Sequence, residues 1–335
     1  MKISTLWSST IIGALIVAPL STVVPARGFS TPVLDEQPRP APASNAAQRM
    51  LALQVALDRA GFSPGVIDGA GGKNTEAARR AYEASRGPAR DEGKGTALDA
   101  APVEPLATYA ISAEDAAGPF VGDIPTDMME KSKLPALGYS SMLEMLAERF
   151  HTTPAFLQRL NPGLTFAQGD VITVPNVEAF RVPAAKPNAK QPAAAGTSRE
   201  PVTVIVTDRT KSLEVRNAAG QTIFFAPVTV GSLRDPLPVG EWKVNGVIEN
   251  PTFNYNPDLF WDAEPSHAKA KIAAGPNSPV GVVWVDLSKE HYGIHGAPEP
   301  SRIGYTESHG CIRLTNWDAM RLAALIGPGT KVVLQ

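Results

Sequence analysis

Prolines bunch at two places in this chain of 335 residues, and they constrain its fold more than any other feature. A proline lacks a backbone N–H and fixes its own φ, so a run of them breaks helices and stays out of sheet interiors. Residues 27–44 hold four prolines among small and polar side chains, and residues 178–200 hold Pro183, Pro187 and Pro192 among Ala, Lys and Gln. Both stretches read as extended, solvated linkers. They cut the chain into separate folded units, as its length alone suggests.

The first 26 residues are set apart by a different pattern. Met1-Lys2 is a short basic start, Ile11 to Leu20 is apolar but interrupted by Pro19, and Val24-Pro25-Ala26 offers a small-residue cleavage site. This predicts a secretory signal peptide over residues 1–26, with an uncleaved anchor as the alternative. No other run approaches spanning length. The mature chain is therefore expected beyond the cytoplasmic membrane, in the periplasm or cell envelope, with no stable membrane insertion. The lack of a lipidation cysteine near the start and of a C-terminal sorting anchor favours a Gram-negative periplasm. Lys+Arg 31 against Asp+Glu 33 leaves a net charge of −2, which gives no electrostatic reason to expect nucleic acid as a partner. One cysteine excludes an intrachain disulfide, an all-cysteine zinc site and an iron–sulfur cluster.

Residues 45–100 make a small all-α unit. Met50, Leu53, Leu57 and Ala60 recur at helical spacing, and a second helix spans Asn74 to Ala84, with Ala77, Ala81 and Tyr82 facing inward. Between them lies the turn Gly61-Phe62-Ser63-Pro64-Gly65-Val66-Ile67-Asp68-Gly69. Gln54, Leu57, Gly61-Phe62, Pro64-Gly65, Ile67-Asp68-Gly69 and a helix opening at Thr75 resemble the helical peptidoglycan-binding module. Residues 107–177 form an α+β unit. Ser141-x-x-Glu144 is a capping box ahead of Leu143, Leu146, Ala147 and Phe150. Thr153-Pro154 starts a second helix with Phe156, Leu157 and Leu160 inside. With a strand at Thr108–Ile111 and another at Val171–Pro175, the order resembles LysM, a glycan-binding fold, with extra residues after its first strand.

Residues 201–335 are mainly β. Val202–Val206, Ser212–Arg216, Thr222–Val230, Glu241–Val247, Gly281–Asp286, Tyr292–His295 and Lys331–Leu334 are β-prone runs. One helix is expected from an Asn316 cap to Ile326, stopped by Gly327-Pro328. These runs predict a β-sandwich or closed β-layer with one packed helix.

The lone cysteine lies in Ser308-His309-Gly310-Cys311-Ile312-Arg313-Leu314, and Tyr292-Gly293-Ile294-His295-Gly296 precedes it. A thiol is only slightly ionised at neutral pH, so a cysteine nucleophile needs a base beside it. His295 and His309 are the candidates. If the chain after Gly310 is extended, Cys311 and Arg313 share a face, where Arg313 either grips a substrate carboxylate or braces the loop. From the residues alone, a cysteine acyl-transfer enzyme stands beside two rivals: a wall-binding protein without activity, and a metal hydrolase using His291, His295 and His309.

Ile294-His295-Gly296, Pro300, Ile303-Gly304, Ser308 through Leu314 and Asn316 resemble the YkuD-type L,D-transpeptidase catalytic domain. Gly231, Pro238-x-Gly240, Asn250-Pro251 and Gly275 through Gly281 extend the likeness. The resemblance implies a nucleophile at Cys311, a base at His295 and a carbonyl at Gly296 that orients the imidazole. It places the oxyanion donors at Gly310 and Cys311, with Ser308, His309, Arg313 and Tyr292 around the substrate. It implies no cofactor and no metal. The partners would be peptidoglycan stem peptides and glycan strands, with water or an envelope protein as other acceptors. Tethered glycan-binding units would raise local substrate concentration, so removing residues 45–177 is expected to spare turnover of soluble fragments.

Overall fold

A computed structural model describes residues 45–86, 104–183 and 200–335 of the chain. The signal peptide, the first linker, the end of the all-α unit and most of the second linker lie outside the described residues. All described residues belong to one compact unit.

Helices α1 (Asn45–Arg59) and α2 (Lys73–Ser85) flank the glycine-rich turn. The Gln54 side chain ties that turn together: its Oε1 accepts from Asp68 N and Gly69 N, while its Nε2 donates to Ala70 O and Asp68 Oδ1. Apolar spacing identified Leu57 as core, but Ala60 is exposed and Leu51, Val55 and Ala78 are buried in its stead.

Strand β1 (Leu106–Ala110) leads through short helices α3 (Ala113–Ala117) and α4 (Met128–Ser132) to α5 (Met142–Arg149) and α6 (Pro154–Leu160). The chain returns as β2 (Val171–Pro175), antiparallel to β1. Ser141 and Thr153 cap α5 and α6, accepting from Glu144 N and Phe156 N; the reciprocal half of the expected capping box is missing, because Glu144 Oε2 accepts from Ser140 N one residue earlier. The extra residues after β1 have a packing role. Leu137, with Met128, Met129 and Leu134, buries apolar surface against Tyr255 and Ile272 of the C-terminal unit.

The C-terminal unit holds β3 (Thr203–Thr207), β4 (Ser212–Arg216), β5 (Thr222–Pro227), β6 (Gly240–Glu249), β7 (Phe253–Tyr255), β8 (Ala270–Ile272), β9 (Val283–Leu287), β10 (Gly293–His295), β11 (Ile312–Arg313), α7 (Asn316–Leu325) and β12 (Lys331–Leu334). Eight strands make one curled sheet in the order β11-β10-β9-β6-β12-β3-β4-β5, and β7 and β8 pair separately. Just past β5, Thr229 exchanges both backbone hydrogen bonds with Arg313 of β11, at 3.0 and 2.8 Å. The two ends of the sheet thus meet. Of the two expected forms the closed layer is the one found, wrapped around a core that includes Val204, Val215, Val285, Ile294 and Trp317. Helix α7 begins one residue earlier than expected. Thr315 is the cap, accepting from Asp318 N, and Asn316 is buried for another purpose.

The units are packed, not strung. Gly61 and Ser63 hydrogen-bond to Phe225, covering the outer edge of β5, and Phe62 packs with Phe225. Leu51, Val55 and Ile67 of the first unit pack with Phe156 of the second. Removing residues 45–177 would strip buried apolar and edge contacts from the catalytic sheet, so soluble-substrate turnover should fall too. This corrects the expectation drawn from tethered units.

Candidate active site

The parallel pairing of β10 with β11 sets Ile294 opposite Ile312 and His295 opposite Arg313. One step back along the same register, Gly293 faces Cys311. Side chains alternate across a strand, so Gly293, His295, Cys311 and Arg313 share one face of the sheet. Antiparallel β9 adds Trp284 opposite His295 and Asp286 opposite Gly293. The expected common face of Cys311 and Arg313 is therefore present, and the imidazole stands diagonally across from the thiol.

His295 is 4% exposed, and its Nδ1 lies 2.6 Å from Gly296 O. A carbonyl only accepts, so Nδ1 carries the proton and Nε2 keeps its lone pair. Burial, seconded by the Arg313 charge, pushes the imidazole pKa down to about 3 against the pull of the Gly296 bond. Burial likewise raises the Cys311 thiol, with the Gly293 backbone and Arg313 acting the other way. Both shifts favour thiol and neutral imidazole over thiolate and imidazolium. No hydrogen bond joins them; the half-buried sulfur is a free thiol.

The other expected residues fall into two groups. Ser308 and Tyr292 are buried braces. Ser308 Oγ donates to Cys311 O at 2.6 Å and accepts from Gly310 N at 3.2 Å, so that N–H is partly engaged. The Tyr292 hydroxyl donates to Gly310 O. A planar peptide then fixes the Cys311 N–H on the opposite side. Gly310 has φ +115°, a backbone state that side chains resist. His309 and Arg313 are more open. The His309 ring sits 5.2 Å from Phe260 and 5.6 Å from Trp261. Its Nε2 lies 2.7 Å from Asp262 Oδ1, a close contact without hydrogen-bond alignment. Arg313 makes no side-chain hydrogen bond or ion pair among the described residues, and its buried Nε is unpartnered.

The three histidines of the metal reading go separate ways. His291 stands in solvent beside Glu290, His309 beside Asp262 and His295 on Gly296. Among the described residues no three such side chains are grouped to hold a metal ion.

Trp284 is a site residue that the sequence did not single out. Its ring stacks on His295 with centroids 5.5 Å apart and planes 20° apart. It also covers Gly293, where an added Cβ would come within 2.5 Å of the indole. The only cue was that Trp284 and Asp286 alternate with the buried Val283, Val285 and Leu287, and the alternation does not reveal which strand lies alongside. Gly293→Ala should push the indole off His295. Acylation of the thiol is expected to slow by roughly tenfold, with a shift in tryptophan fluorescence. An unchanged rate would mean that the ring does not position the base.

A closed β domain that presents a thiol and a neutral, oriented imidazole on one face is built for thiol acyl transfer. Residues 202–334 match the family model of the L,D-transpeptidase catalytic domain. The putative L,D-transpeptidase YkuD of Bacillus licheniformis is 32% identical over 193 residues, covering 57% of this chain and 91% of that relative. Its counterpart in Bacillus subtilis is 27% identical over 195 residues, covering 57% and 92%. The probable L,D-transpeptidase YbiS of Escherichia coli K12 is 31% identical over 116 residues, covering 33% and 37%. The first two likenesses cover more of the chain than the catalytic segment holds, so they run into the residues before it. The chain belongs to the L,D-transpeptidase family, enzymes of the acyltransferase class.

Proposed function

We propose that this protein cross-links peptidoglycan, with Cys311 as the nucleophile. As Sγ attacks the carbonyl carbon of the third stem residue, the thiol proton passes to His295 Nε2. The bond to the terminal D-alanine breaks, its amine takes that proton, and a thioester remains. An amine of a second stem attacks the thioester, giving its proton to His295. The C–S bond breaks, and the thiolate recovers the proton. The Cys311 N–H, set by the Tyr292 bond to Gly310 O, faces the developing oxyanion, a donor commonly worth about 3 kcal/mol. The Gly310 N–H joins it by leaving Ser308 Oγ. Arg313 receives a stem carboxylate, and His309 with Phe260 and Trp261 walls the approach. Water as acceptor would make the same chemistry a carboxypeptidase, and a lysine of an envelope protein would make it an attachment reaction.

The observation that carries this reading is the shared face of Cys311 and His295, with Nδ1 held by Gly296. The pairing of β1 with β2 around helices α5 and α6 supports a LysM-like glycan contact, and the Gln54-tied turn supports a peptidoglycan-binding-like first unit. The leader pattern supports an envelope location. No helix among the described residues is long and apolar enough to cross a membrane.

Mass spectrometry after mixing with a carbapenem, which acylates as a donor mimic, tests the nucleophile. One adduct on Cys311 is expected, none in Cys311→Ser, and D-alanine release from a tetrapeptide donor should vanish with it. Donor turnover that persists in Cys311→Ser would overturn the mechanism. A native chain that takes no adduct and releases no D-alanine would leave the non-catalytic wall-binding protein.

A further inference from the structure

Glu148 is a buried carboxylate that the chemistry above does not use. It belongs to α5 in the unit bounded by β1 and β2, yet its Oε1 reaches the catalytic domain and accepts from Asn316 Nδ2 at 2.7 Å. The same Nδ2 donates to Pro276 O at 3.1 Å, and Asn316 Oδ1 accepts from Val282 N at 3.1 Å. Asn316 is wholly buried, so its amide is committed on both sides.

Its oxygen end rests on the backbone that holds the base. A Cβ at Gly296 would fall 2.2 Å from Asn316 Oδ1, and one at Gly281 would fall 2.1 Å away, so both positions admit only a bare backbone. The Gly296 carbonyl is the acceptor that fixes the His295 tautomer, and the Gly296 N–H is bonded to Val283 O at 3.2 Å. The glycine whose carbonyl orients the imidazole is thus held between β9 and the Asn316 amide.

We infer that Glu148 is a positioning residue for His295, acting through the Asn316 amide and the Gly296 peptide, so that the unit before the catalytic domain completes the active site. An amide has an accepting and a donating end of nearly equal shape. Glu148 Oε1 presents an acceptor to the Nδ2 end, which keeps Oδ1 toward Val282 N–H and Gly296. Without that acceptor only Pro276 O holds the Nδ2 end, and the amide turns over more readily. Its NH2 would then oppose the Val282 N–H and press on Gly296, shifting the carbonyl that Nδ1–H needs.

The inference rests on the reading of His295 as the base, and the test separates the two. Three variants are compared for carbapenem acylation rate, and those at Glu148 also for the 15N shifts of the His295 ring, which report its tautomer. Glu148→Met fills the space without an acceptor; it should stay folded and acylate roughly tenfold slower, with the His295 signals moved. Glu148→Gln keeps an acceptor and should restore the rate to within about twofold and the native shifts. His295→Gln should be far slower than either. A folded Glu148→Met with native rate and native shifts, beside a slow His295→Gln, would overturn the positioning role alone. A native rate in His295→Gln would remove the base itself. If Glu148→Met fails to fold, native shifts and rate in a folded Glu148→Ala overturn the inference, and moved shifts with a slow rate support it.

Discussion

Carbapenem acylation of Cys311 is expected to slow by roughly 10³-fold at pH 7 when His295 becomes glutamine. The loss is large because nothing else at the site replaces the base. Burial holds the Cys311 thiol above its usual range, so the variant must rely on a small thiolate fraction. Its rate should therefore climb about tenfold per pH unit on the alkaline side, as the thiolate fraction does. The native enzyme should behave differently in acid. With the imidazole pKa pushed down to about 3, the free Nε2 persists far below pH 6.5, and no acid limb should appear there. The same shift bears on stability with a definite sign. Between about 3 and 6.5 the unfolded imidazole binds a proton that the folded one refuses, so this group's contribution is complete above 6.5 and is lost as pH falls. Stopped-flow acylation across pH 4 to 9 reads the catalytic part. A native acid limb near 6.5, or a His295→Gln rate close to native, would sink the assignment.

The candidate site side chains were legible because they sit in two short contiguous blocks, Tyr292–Gly296 and Ser308–Leu314. Strand alternation and turn chemistry placed most of the sheet around them. What escaped was set by partners distant in the chain. Ile312–Arg313 is too short to announce a strand, and it exists because β10 and Thr229 bond to either side of it. Phe253–Tyr255 and Ala270–Ile272 are three residues each, and they are stabilised by packing against Leu137. Asn316 looked like a helix cap because Asn caps well, but Thr315 beside it does so equally. Gly275 stood out in the sequence, and the structure supplies its reason. A Cβ there would lie 2.0 Å from Leu137 O, where the segment after β1 bonds to Ala274 and Asn277. Isolated polar residues such as Asp58, His151 and Arg321 carried no local pattern, although together they join the three units.

Asp58→Ala should destabilise the protein by about 3–5 kcal/mol, the usual cost of removing one partner from a buried charge network. Asp58 is on α1 and 1% exposed. Its Oδ2 lies 2.9 Å from His151 Nδ1 in the turn between α5 and α6, and 3.0 Å from Arg321 Nη1 on α7. Its Oδ1 accepts from Arg321 Nη2 at 2.8 Å. The His151 ring in turn stacks on Trp317, with centroids 5.0 Å apart and planes 9° apart. Burial alone would raise the Asp58 pKa, but His151 and Arg321 outweigh it and hold the carboxyl well below its usual 3.8. Its contribution is therefore present above 3.8 and is lost as pH falls below that value. Deleting the carboxylate leaves the half-buried Arg321 beside His151 without the anion it hydrogen-bonds. Replacing both ends, Asp58→Leu with Arg321→Met, removes the stranded charge and should recover most of the loss. Urea unfolding followed by circular dichroism and by tryptophan fluorescence measures this directly. One coincident transition is expected in the native chain, because the network spans all three units. Two separated transitions, or an Asp58→Ala loss below about 1 kcal/mol, would mean that the units are held by their apolar contacts alone.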